Sequence, residues 1–128
     1  MSKEQPPPQE FVVDVFARTC PSRATFEDVT GKWASLLLIA LGERPRRFGE
    51  LRRKVQGVSE KMLSQSLRAL ERDGMVTRTS HGTVPPRVDY ALTELGAEVS
   101  RTMRELADVL EAAVPHVTSA REHYDATV

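Results

Sequence analysis

Ser59, Lys61, Ser64, Gln65 and Arg68 lie within the stretch "SEKMLSQSLR", and Leu63, Leu67 and Leu70 recur around them at helical spacing. The leucines make one stripe of a helix and the polar residues its other side. What those side chains can do is recognise. A glutamine amide pairs with adenine and an arginine guanidinium with guanine, each through two hydrogen bonds. Serine hydroxyls, with the unpaired N–H groups of a helix start, suit phosphate oxygens. Lys61 adds a mobile charge, and Arg72, near the helix end, covers surface. An ordinary exposed helix pairs more of its cations with acids. This face is therefore either merely solvated or the reader of a polyanion. Any one of these side chains fits the first description nearly as well; the set favours DNA.

The charge distribution points the same way. Basic and acidic residues balance at 18 each, yet between Arg44 and Arg87 eleven lysines and arginines meet only four acids. That segment carries +7 and the remainder −7. Such a split suggests a basic surface on an acidic scaffold, unless the charges scatter around the segment. Arg46, Arg47, Arg52 and Arg53 are placed to clamp flanking phosphates. His81, at a turn tip, and Arg87, at its base, would enter or flank a minor groove.

Catalysis finds little support. No glycine-rich phosphate loop, metal-ligand cluster or nucleophile–base pair occurs at a recognisable spacing. His116 and His123 could share a helical face, but they lack clustered carboxylates. The single cysteine excludes an internal disulfide and a zinc site built on several thiolates. The chain is read as a non-enzyme without cofactor or metal. The longest apolar run, Trp33 to Leu41, is interrupted by Ser35. It falls far short of the roughly 18–20 residues of a membrane span. No signal segment opens the sequence, so a cytoplasmic location is expected.

These side chains need a scaffold, and 128 residues suffice for one domain with a core. Residues 1–10, with three consecutive prolines, read as a disordered tail. Residues 11–19 read as an apolar arm, helix or strand, that packs on the domain or on a partner chain. Pro21 suits a first helical position and puts Cys20 at or next to the N-cap. That short helix turns Ala24, Phe26 and Val29 inward and ends at Gly31. Lys32 to Leu41 is a central buried helix. Pro45 breaks the chain before a short strand, Arg46 to Phe48, and a helix over Gly49 to Val55. Ser59 then caps the helix that stops at Asp73-Gly74. Met75–Thr79 and Arg87–Leu92 read as strands flanking the turn "SHGTVPP". Thr93 caps a last helix with Leu95, Val99, Met103, Leu106, Leu110 and Ala113 in a heptad-like seam. The seam packs on its own domain or, as favoured here, on a second copy. Residues 115–128 are a C-terminal tail after Pro115. The fold class is mainly α with a small β-hairpin (α+β): a winged helix-turn-helix with terminal dimerisation helices. The domain occupies residues 20–114.

In order and spacing the chain resembles the HxlR-type, MarR-like winged-helix transcriptional regulators. The likeness rests on "CP" at 20–21, "GKW" at 31–33, "PRRFGELRR" at 45–53, "GVSEKMLSQSLRALERDGMV" at 57–76 and "VPPRVDYALTELG" at 84–96. The resemblance implies a homodimer on an inverted-repeat operator, joined by its first and last helices. It makes residues 59–73 the recognition helix and 80–86 the wing, with Arg87 as wing anchor. Similar regulators sense quinones, aldehydes or oxidants through a thiol at the position of Cys20. A helix N-terminus lowers a thiol's pKa, and Arg18 and Arg23 stand nearby in sequence. Cys20 is otherwise a small packing residue at the dimer interface. Two further readings stay open. A small-molecule effector could bind between the dimer helices and the core, against Trp33, Phe26, Phe16 and Met103. The winged helix could also serve protein contact, though that needs an apolar face where Lys61, Gln65 and Arg68 stand. With no effector module in the compact domain, repression is expected over activation.

Overall fold

The computed structural model describes residues 13–128. The expected tail at 1–10, and Phe11 and Val12 of the arm, lie outside that range. The remainder of the arm forms turns, neither helix nor strand, and leaves Phe16 86% exposed.

Helix α1 (Pro21–Val29) starts as its sequence dictates, with extended Cys20 before Pro21. Only Val29 is buried from it; Phe26 and Ala24, expected inward, are exposed. A helix this short packs by its last turn alone. Helix α2 (Lys32–Glu43) buries Ala34, Leu37, Leu38, Ala40 and Leu41 and forms the centre of the molecule. It continues two residues past Leu41, through Gly42. There Ser100 comes so close that a Cβ on Gly42 would overlap its hydroxyl.

Strand β1 (Arg46–Arg47) leads into α3 (Phe48–Lys54), which buries Leu51. Helix α4 (Glu60–Arg72) buries Leu63, Leu67 and Leu70, the stripe read from the sequence. Ser59 accepts a hydrogen bond from the Met62 N–H at its start. At its end Gly74 takes a positive φ, the Gly74 N–H bonds the Glu71 carbonyl and the Met75 N–H bonds the Leu70 carbonyl. Those two bonds make a Schellman turn, with buried Leu70 and Met75 as its apolar pair.

Strands β2 (Val76–Ser80) and β3 (Val88–Leu92) pair antiparallel, Arg78 opposite Tyr90. The sheet has a third member: β1 pairs with the other edge of β3, giving the order β1-β3-β2. The ribbon expected to be two-stranded is thus held on both sides of β3.

Helix α5 (Glu94–Ala112) is capped by Thr93 and docks on α2 through a 2.6 Å hydrogen bond from Ser100 Oγ to the Leu38 carbonyl. Val99 and Met103 pack against the chain's own core. Leu95, Leu106, Val109 and Leu110 are about half exposed or more. The residues expected as a tail form a further helix, α6 (Val114–Thr127), with Pro115 accommodated in its first turn. No described helix is long and apolar enough to cross a membrane.

Candidate nucleic-acid interface

Helix α4 carries the centre of the site. Its leucine stripe is fully buried, which fixes the helix's rotation about its own axis. Lys61, Gln65, Arg68 and Arg72 are consequently exposed, and Ser64 is half-buried beside them. The four leave free nearly all of their hydrogen-bonding capacity: none forms a side-chain bond among the described residues. Ser59 differs. Its oxygen is engaged in capping, so its part at a phosphate would be through its remaining O–H.

Two grooves flank this helix and the hairpin. The first, about 530 Å³, is lined by Ser64, Arg68 and Glu71 of α4, Phe48 of α3, and Arg78, Val88 and Tyr90 of the sheet. Arg78 was not among the candidate contacts drawn from the sequence. The strand register, not the sequence alone, places it: Arg78 pairs with buried Tyr90 and lies on the sheet face that looks toward α4. The second groove, about 510 Å³, is lined by Arg44, Arg46, Arg47, Arg53 and Arg87, with Glu50 and Asp89 as its acids. Glu50 accepts from the Arg47 N–H at 2.8 Å and from Arg44 at 3.4 Å. That backbone bond, and then Arg44, hold its carboxyl below the usual carboxylate range.

Arg46 is the exception among the clamp residues. It is only 8% exposed. Its Nε donates to the Ala40 carbonyl at 3.0 Å and its Nη2 to Glu43. It ties the end of α2 to β1 and is a part of the fold, so the expected role as a phosphate clamp is corrected. The reason is alternation: β1 sends neighbouring side chains to opposite faces, and Arg46 takes the inner one opposite Tyr90. Arg47, opposite Asp89, takes the outer one. Arg52 is exposed and pairs with Glu60 at 2.7 Å, while Arg53 makes no ion pair among the described residues. His81 and Arg87 both reach Asp89, at 2.9 and 3.4 Å.

Cys20 is half-buried, its sulfur 3.1 Å from the Ser22 hydroxyl. That hydrogen bond first, then the backbone N–H groups of Asp14 and Ser22, lower the thiol's pKa. Arg23, a suggested helper, is turned elsewhere, to Glu27 at 2.7 Å and the Phe16 carbonyl at 3.2 Å. Among the described residues, no three His, Cys, Asp or Glu side chains group as metal ligands do. The proposed pocket residues are dispersed as well: Phe16 and Phe26 are exposed, whereas Trp33 and Met103 pack on the core.

Known proteins resemble the chain in sequence and fold. The model of the HxlR-like helix-turn-helix family matches residues 28–118. The uncharacterized HTH-type transcriptional regulator YtfH of Escherichia coli K12 is 50% identical over 109 residues, covering 85% of this chain and 86% of that protein. The solved structure of the ytfH regulator of Salmonella typhimurium superposes with a TM-score of 0.82 at 50% identity, over 86% of this chain and 98% of that one. The redox regulator HypR in its reduced form superposes with a TM-score of 0.70 at 32% identity, over 77% of this chain and 98% of that one. With its winged helix-turn-helix fold and these matches, the chain belongs to the HxlR-like helix-turn-helix family of transcriptional regulators.

Proposed function

We propose that this regulator is a homodimer that binds an inverted-repeat operator in double-stranded DNA and represses transcription from it in the cytoplasm. The observation that carries the reading is the exposed face of α4: Lys61, Gln65 and Arg68 stand unpaired on a helix whose other side is locked by buried leucines. A B-form major groove admits one such helix. Gln65 and Arg68 read base edges, Lys61 and Ser64 meet phosphate, and Ser59 with the α4 N-terminus does the same. Arg47, Arg52 and Arg53 lie along the flanking backbone, and His81 and Arg87 meet the minor groove. Arg78 joins this set from the groove beside α4. The exposed residues Leu95, Leu106 and Leu110 of α5 are the dimer surface, with Val99 and Met103 supporting them from within. The pairing sets the two recognition helices about one DNA turn apart.

A thiol switch fits the same geometry. The lowered pKa of Cys20, and the likeness to a redox regulator, support a sensor. In a dimer an oxidant such as diamide would take two hydrogens from a pair of Cys20 thiols, leaving an intersubunit disulfide.

One titration tests both. The purified protein is bound to its own upstream DNA by fluorescence anisotropy over a salt series, reduced and diamide-treated. Salt-sensitive binding is expected, weakened by about 1–3 kcal/mol in Arg68→Ala. Loss on oxidation that disappears in Cys20→Ser establishes the switch. Binding indifferent to oxidant makes Cys20 structural and favours a small-molecule effector. No binding to this or to any selected genomic fragment at low salt overturns the proposal.

A further inference from the structure

We infer that Asp89 is a positioning residue for recognition: its carboxylate fixes His81 and Arg87 of the hairpin to Arg47 of β1, and so sets where the hairpin tip meets the duplex. The inference rests on the DNA-binding function proposed above. Asp89 is the second residue of β3, the central strand, opposite Arg47 on one side and Thr79 on the other. Its neighbour Tyr90 faces the core, so Asp89 takes the outer face. There Oδ2 accepts from His81 Nε2 at 2.9 Å and from Arg87 Nη2 at 3.4 Å, while Oδ1 faces Arg47 Nε at 3.8 Å. These partners come from three segments: β1, the loop after β2, and the approach to β3.

A carboxylate in an arginine-lined groove repels phosphate. What it supplies in exchange is order. Without it, Arg47 and Arg87 face each other as like charges, and the loop at 81–87, exposed throughout, loses the His81 tether at its base. The tether works alongside the 2.9 Å bond from the His81 N–H to the Arg87 carbonyl, which closes the hairpin. Phosphate contacts fix the register in which base contacts are made. A splayed hairpin therefore harms the specific complex, whose contacts require one register. Loose electrostatic association with arbitrary DNA tolerates it.

The test compares wild type, Asp89→Asn and Asp89→Glu on two duplexes: the protein's upstream region, or a fragment selected from the genome, and a scrambled duplex of equal length and composition. Asp89→Asn should lose about tenfold or more on the specific duplex and change less than about twofold on the scrambled one. Asp89→Glu should recover most of that loss. Equal gains on both duplexes would overturn the inference, because Asp89 would then act only as a repulsive charge. No change on either would overturn it too. Circular dichroism of each variant identifies a fold defect; if Asp89→Asn unfolds, Asp89→Ser and the glutamate rescue carry the comparison. A wild type that does not distinguish the two duplexes would instead refute the proposed function itself.

Discussion

Asp73 shows how one side chain can work against the fold that holds it. It ends α4, and its Oδ2 is buried without a hydrogen-bond partner. Burial, and then the nearby Asp28 carboxyl at the end of α1, push its pKa up from 3.8 to about 6. The folded state accordingly binds more protons than the unfolded chain between those values. Stability falls as pH rises through that window; the penalty is complete above about 6 and absent below 3.8. Asp73→Asn should therefore stabilise the protein by about 1 kcal/mol at pH 7.5, a figure reduced for partial exposure, and hardly at all at pH 3.5. Urea unfolding at the two pH values checks it, and a loss of stability at pH 7.5 would contradict it. The sequence does not disclose this pair, because the two residues lie far apart in the chain. Arg46 and Arg47 teach the same lesson at closer range. They are chemically identical neighbours, and only the pairing of β1 with β3 decides that one is buried and the other exposed.

The helices were legible in the sequence where local chemistry fixes them: Pro21 after Cys20, Ser59 before α4, Asp73-Gly74 after it, and Thr93 before α5. What could not be read was which elements touch. Thr93 is an example. Besides capping α5 it donates to the Gly74 carbonyl at 2.6 Å, and its own N–H bonds the Met75 carbonyl. The turn after α4 is thereby pinned to the start of α5. Gly96 makes the contact possible, since a Cβ there would lie 1.9 Å from the Met75 oxygen. Gly96→Ala should cost about 3 kcal/mol, the cost of forcing backbone apart in a packed site. Gly49→Ala is the control. Its Cβ would meet only the end of Arg53 at 3.5 Å, and a helical alanine should be neutral or gain about 0.5–1 kcal/mol. Thermal unfolding of the two variants side by side measures the contrast. The short strand at Arg46 was expected, but its pairing with β3 was not, for a related reason: two residues are too few for periodicity to assign a partner, and that partner is remote in sequence.

For the whole molecule, α5 faces two ways. Ser100, Val99 and Met103 hold it to the core, while Leu95, Leu106 and Leu110 look outward. The heptad spacing does not tell the inward residues from the outward ones. If the outward residues join two copies, a doubly charged face should separate them: Leu106→Asp with Leu110→Asp is expected to sediment as a folded monomer, with operator affinity reduced at least a hundredfold. A dimer that survives both changes would place the interface elsewhere. The basic segment, finally, is less basic than its composition. In the free protein six of its cations share four carboxylates: Arg44 pairs with Glu50, Arg52 with Glu60, Arg46 and Lys54 with Glu43, and Arg47 and Arg87 with Asp89. Among the described residues, Arg53, Lys61, Arg68, Arg72 and Arg78 remain outside these pairs. Grip on arbitrary DNA grows with the number of phosphates neutralised. If it binds DNA as proposed, a regulator built this way should be held only lightly by the chromosome at large. Fewer of its molecules would then stand parked at irrelevant sites, and a small cellular stock would suffice to keep the proposed operator occupied.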